Sequence, residues 1–168
     1  RQFQNPVMAT LRYEWMIRYK SLQIANINQA RNVALKHGRE SAKWTLVLDG
    51  GVAFNRIGWD HFVEHAKNDD VSKFILIPMS RITTTNGFAS IKANVYAGEE
   101  PQIALRFDST DAFDETLRYG NANKTELFKR IGFPGIWDSG LEAPWDKRSI
   151  VRSNDAGLFS KAGLVIRL

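Results

Sequence analysis

Asn28-Gln29-Ala30-Arg31-Asn32-Val33-Ala34-Leu35-Lys36-His37-Gly38, followed after a polar turn by Trp44-Thr45-Leu46-Val47-Leu48-Asp49-Gly50-Gly51, is the stretch on which the fold turns. Asn is a good helix N-cap, Ala30, Val33, Ala34 and His37 share one helical face, and Gly38 is a natural stop, so the sequence predicts a helix from Asn28 to Gly38. The apolar run Trp44 to Leu48 suits a buried strand, and Asp49-Gly50-Gly51 closes it with turn chemistry. Trp59, Phe62, Val63 and Ala66 recur at helical spacing, and Lys73 to Pro78 reads as a second buried strand. Strand, loop, helix and strand in this order form a βαβ-like succession. The expectation is an α/β fold with an open, mostly parallel sheet flanked by helices.

Outward from that core the pattern is less sharp. Residues 1–27 fit a helix or a pair of strands. Turn clusters at Thr83 to Gly87 and Gly98 to Pro101 bracket a strand near Ser90 to Tyr96, and Gln102 to Phe107 is another apolar run. A polar helix is expected to start near Ser109 or Thr110. Asn123-Lys124-Thr125-Glu126 has capping-box form, with Leu127 and Ile131 as the inner stripe of a helix that Gly132 stops. The stretch from Phe133 to Ser153 reads as an ordered loop, and Gly163 to Leu168 as a last strand.

Composition fits this picture. The chain has 168 residues, 43% hydrophobic and 24% charged, which suits one domain with a real core. No apolar run is long enough to span a bilayer, the first residues lack the basic-then-apolar pattern of a signal peptide, and the chain reads as soluble, with a cytoplasmic location favoured over an otherwise open compartment. The lack of cysteine removes disulfides, thiolate nucleophiles and cysteine metal sites. A net charge of +5 admits a polyanionic partner. Because the basic residues are scattered among acids rather than gathered beside aromatics, nucleic acid is disfavoured.

Three constellations carry chemistry. In the first, a strand ending in Asp49 before Gly50 and Gly51 puts a carboxylate at the carboxyl edge of a sheet, with backbone room for a phosphate. An Asp there can hold Mg²⁺ or Mn²⁺ on a diphosphate, and Arg31 adds a cation; an ordinary strand-to-turn junction has the same residues. The second is Phe113-Asp114-Glu115, Tyr119-Gly120, then Thr125-Glu126-Leu127 and Arg130, in which the acids serve a site or decorate a helix start. In the third, Trp137, Asp138, Glu142, Trp145 and Asp146 combine aromatic faces with carboxylates, a surface suited to saccharide or simply to folding the loop onto the core. Asp138 and Glu142 also raise glycoside hydrolysis. His61 and His65 have i, i+4 spacing without the H-E-x-x-H pattern of zinc proteases, and no G-x-S-x-G elbow occurs.

The first constellation resembles the N-x-A-R-N and W-x-x-x-L-D-x-D passage of GT-A glycosyltransferases, and the second their later F-D-E, Y-G and E-L-x-x-R passage. The direct likeness covers about a quarter of the chain. It implies a single GT-A-like domain over 1–168. With only the residues before Asn28 standing where the family places a nucleotide-binding βαβ stretch, the chain reads as a fragment, a trimmed chain or a divergent protein. The resemblance implies donor contacts from Asn28, Arg31, Asn32 and Asp49 and a Mn²⁺ or Mg²⁺ ion on Asp49, while Gly50 and Gly51 give the donor backbone room. A carboxylate base would come from Asp108, Asp111, Asp114, Glu115 or Asp138, and the aromatic and acidic loop read above would give acceptor contacts through Trp137, Glu142 and Trp145. Gly51 replaces the family's second metal-binding acid, and Asn123-Lys124 stands near the place of its Glu-Asp base. The implied activity is sugar transfer from a nucleotide donor to a saccharide or other hydroxyl. Open alternatives are a non-catalytic carbohydrate-binding module and a polysaccharide hydrolase or lyase.

Overall fold

The computed structural model describes residues 6–24, 26–81, 99–117, 124–133, 135 and 150–167. Their elements are α1 (Pro6–Ile24), α2 (Ile27–Ser41), β1 (Trp44–Val47), β2 (Val52–Phe54), α3 (Arg56–Asn68), β3 (Phe74–Ile77), β4 (Met79–Arg81), β5 (Gln102–Arg106), α4 (Thr125–Arg130), β6 (Phe159–Lys161) and β7 (Val165–Arg167). All four side chains of β3 are buried. Since successive side chains of a strand point to opposite faces, the sheet must be covered on both sides there. On one side Phe74 and Leu76 pack with Leu35 of α2, with Ile103 and Leu105 of β5, and with Leu127 and Phe128 of α4. On the other, Ile75 and Ile77 pack with Phe62 and Ala66 of α3.

The sheet is mixed, which corrects the expectation of an open, mostly parallel one. A four-stranded sheet has the order β1-β5-β3-β6 and a three-stranded sheet the order β2-β7-β4. β5 runs antiparallel to both β1 and β3, and β2 antiparallel to β7; only β3 with β6 and β4 with β7 are parallel. In a βαβ unit β1 and β3 would be neighbours. They do run in the same direction, but β5, delivered from much later in the chain, is inserted between them. Ile103, Ala104 and Leu105, wholly buried, pair with β1 on one side and β3 on the other.

Other boundaries moved for identifiable reasons. The N-cap of α2 is Asn26, whose side-chain oxygen accepts from the Gln29 amide, so Asn28 lies inside the helix. Gly38 does not stop the helix. A Cβ there would lie 2.2 Å from the Thr45 hydroxyl oxygen, so glycine lets α2 press against β1 while the helix continues to Ser41. No helix starts at Ser109 or Thr110; residues 109–117 are irregular. The strand expected near Ser90 to Tyr96 and most of the 133–153 loop lie outside the described residues. Residues 6–24 are helical, with Val7, Met8, Tyr13 and Trp15 exposed. No helix among the described residues is long and apolar enough to cross a membrane.

Candidate functional site

Placing the N-cap at Asn26 aligns Asn28, Arg31 and Asn32, three and four residues apart, on one face of α2. That face meets the irregular segment 111–117. Asn28, fully buried, donates through Nδ2 to the Asp114 carbonyl at 2.7 Å. Asn32 accepts from the Phe113 amide and donates to the Phe113 carbonyl, both at 2.8 Å, and donates to Glu115 Oε1 at 2.9 Å. Asn26 donates to the Glu115 carbonyl. The segment has no ladder of its own, so these amide side chains supply partners its backbone needs. Two constellations far apart in sequence thus become one.

Arg31 joins this wall to the end of β1. Its Nη1 donates to Asn28 Oδ1 at 2.8 Å and its Nη2 to Asp49 Oδ1 at 2.7 Å, while the guanidinium lies over the Phe113 ring, 5.2 Å from the centroid. Asp49 Oδ2 accepts from Lys124 Nζ at 2.6 Å and from Gln102 Nε2 at 3.2 Å, and the Asp49 amide donates to Gln102 Oε1 at 3.2 Å. Lys124 Nζ also lies 3.5 Å from Glu100 Oε1. The Lys124 side chain is 1% exposed, against 25% for Asp49. Gly51 has φ 72°, a left-handed conformation that glycine adopts at no steric cost. Gly50 faces open space.

The sequence singles out neither Glu100 nor Gln102, and Lys124 only for standing near the place of the family's base. Gln102 carried a usable signal, being a polar residue opening an otherwise apolar run, where burial demands a partner. Lys124 carried none, since its burial depends on the fold. Of the proposed acids, Asp114 has its Oδ1 engaged by the amide and hydroxyl of Thr116, at 2.8 and 2.6 Å. Glu115 is exposed beside Asn32. Trp137, Asp138, Glu142 and Trp145 lie outside the described residues, as do Tyr119, Gly120 and Asn123.

Comparison with protein-family models, with curated proteins and with solved structures found no match to this chain.

The donor set around Asp49 does not fit a divalent ion. Both carboxylate oxygens are taken by Arg31, Lys124 and Gln102, and the described residues contain no group of three or more His, Asp or Glu side chains suited to a metal. A divalent ion on Oδ2 would have to sit beside or displace the Lys124 ammonium. At an effective dielectric of about 20, unit charges about 4 Å apart interact by about 4 kcal/mol, and a divalent against a monovalent cation by about 8. Two monovalent cations, Arg31 and Lys124, already stand against two carboxylates, Asp49 and Glu100.

The histidines do not form a metal pair. His61 Nδ1 accepts from the Gly163 amide, whereas His65 Nε2 lies 2.8 Å from Ser160 Oγ and 3.1 Å from Asp69 Oδ2. Although this brings Ser, His and Asp together, a single ring nitrogen meets both partners and Ser160 also donates to Asp69, so His65 does not relay a proton from Ser160 as in a catalytic triad.

Burial alone would raise the Asp49 carboxyl, but the Lys124 charge and hydrogen bond, with those of Arg31 and Gln102, outweigh it and hold it at about 2. A carboxyl depressed by folding stabilises the protein above its unfolded value near 3.8, and the contribution fades as pH falls from there toward 2. With a quarter of the side chain in water, it amounts to on the order of 1–2 kcal/mol. Asp69 and Asp108 are depressed too. The expected result is that the Asp49→Asn variant loses less stability than the parent in urea titrations between pH 5 and pH 2. Equal losses would show that Asp49 is not held in this way.

Proposed function

We propose that the chain is a nucleotide-sugar-dependent transferase domain whose donor diphosphate docks at the carboxyl end of β1. One observation carries this reading. Arg31, fixed by Asn28 and Asp49, stands between the end of β1 and the Phe113–Glu115 segment, so described residues of both sequence constellations meet beside it. The Arg31 guanidinium suits a diphosphate, which would take over the Nη2 donor that Asp49 holds in the free chain, and a rigid guanidinium costs little further ordering. Gly50 leaves the rim open to a phosphate or sugar. Glu115 is better placed than Asp114 to take the acceptor's proton, because it is exposed and its hydrogen bond from Asn32 orients it.

A second reading, binding without turnover, is favoured by the Thr116 bonds that occupy Asp114 and by the cation Lys124 beside Asp49, near where the resemblance expects a base. Calorimetry with UDP-glucose, UDP-N-acetylglucosamine and GDP-mannose, with and without Mn²⁺, tests the first reading. At least one donor is expected to bind, with affinity lost in Arg31→Ala. Turnover of that donor, assayed as released nucleotide and abolished in Glu115→Gln, separates transfer from binding alone. Absence of heat with every donor under both conditions would remove the transferase reading.

A further inference from the structure

We infer that two copies of this chain associate through a twofold-symmetric contact in which α1 of each copy lies on the outer face of the other copy's α2. Two apolar surfaces that a single chain leaves in water carry this inference.

The first is on α2. A surface helix ordinarily turns its apolar stripe to the core and its polar side to water. Here the order is reversed. Asn28, Arg31 and Asn32 take the inner side with Leu35, bonded to Asp114, Asp49 and Phe113. Ile27, Ala30, Val33, Ala34 and His37, spaced by three and four residues along the opposite side, are all exposed. With only alanines at 30 and 34, this side lets a second helix approach closely.

The second surface is α1. Every residue of this helix whose side chain is described is exposed. At 3.6 residues per turn, Val7, Leu11 and Trp15 fall on one side of it and Tyr13, Met16 and Ile17 on the other. A helix apolar on opposite sides belongs between neighbours, and most helices owe their stability in proteins to such packing. Tyr13, Met16 and Ile17 are 60, 48 and 48% exposed, and Ile27 and Val33 are 47 and 53% exposed, so the two surfaces do not cover each other within one chain.

A second copy satisfies both at once. Only Ala25 and Asn26 lie between the helices, so both surfaces start from one point of the chain, and a single twofold axis matches each α1 with the opposite α2. The bulky side chains Tyr13, Met16 and Ile17 then meet the shallow face at Ala30 and Ala34. A helix of 19 residues is about 28 Å long and about 10 Å across. Two such contacts bury on the order of 1,000 Å², enough for a specific but reversible interface. A helix lying on a membrane keeps one polar face for water, a division that α1 lacks.

Sedimentation velocity of the whole chain between about 1 and about 100 μM tests the contact. A concentration-dependent dimer is expected. Val33→Glu and Ile17→Glu, at side chains exposed in the single chain, are each expected to weaken it at least about a hundredfold by burying an unpaired charge, with the fold checked by circular dichroism. Hydrogen exchange identifies the arrangement, because Val33→Glu on α2 is expected to speed exchange in residues 6–24 while β3 and β5 stay protected. A chain that remains monomeric throughout would overturn the inference, whether its α1 is then protected by its own α2 or binds vesicles of phosphatidylserine and phosphatidylcholine. So would a dimer that neither substitution weakens, or one in which Val33→Glu leaves exchange in residues 6–24 unchanged.

Discussion

Replacing Lys124 by methionine is expected to destabilise the chain by about 3–5 kcal/mol, as breaking one side of a buried ion pair does. The ammonium is buried, and its removal leaves the Asp49 carboxylate with only Arg31 and Gln102 to offset its lost hydration, and Glu100 facing an apolar thioether. Urea unfolding should show the loss as a lower midpoint at unchanged slope. The control is the pair. Asp49→Asn/Lys124→Met removes both charges together and is expected to recover part of the lost stability, since Asp49 is no longer an uncompensated charge while Glu100 and Arg31 each still lose a partner. A single variant as stable as the parent would mean that Lys124 is not buried against Asp49 in solution.

Truncating Phe128 to alanine is expected to cost about 3–5 kcal/mol, the usual range for emptying a buried aromatic site. Phe128 is fully buried in the core formed by α2, α4, β3 and β5. Its ring meets Phe133 edge to face at 5.9 Å, and Phe133 in turn meets Phe159 of β6 at 5.4 Å. Since the Phe128 amide donates to the Lys124 carbonyl, a loosened α4 also loosens the lysine at its start. Near-ultraviolet circular dichroism should lose intensity, and Phe128→Leu should retain most of the stability. A small effect of Phe128→Ala would show that α4 is not anchored through this ring.

The sequence made some of this legible and concealed the rest for physical reasons. β1, β3, β5 and α3 could be found from apolar runs and helical spacing, because their burial is written in their own residues. The order of the strands could not, since pairing is decided between segments distant in the chain. Asn28, Arg31 and Asn32 were singled out by resemblance, and the structure brings them onto one face against Phe113 to Glu115. Lys124 was considered only as a failed base. Nothing local to Lys124 tells that it will be buried at the start of α4, where no side chain caps the helix, and Gly38 likewise looks like a helix stop until β1 is packed beside it.

The insertion of β5 between β1 and β3 also has a kinetic side. While residues 44–81 emerge during synthesis, β1 and β3 each lack the partner that will pair with both of them. Their unpaired backbone edges stay exposed until Gln102 to Arg106 arrives, so sheet closure waits on a contact of long sequence separation and is expected to limit the rate of folding. Truncations ending before residue 102 would leave those edges open, making such species prone to aggregation.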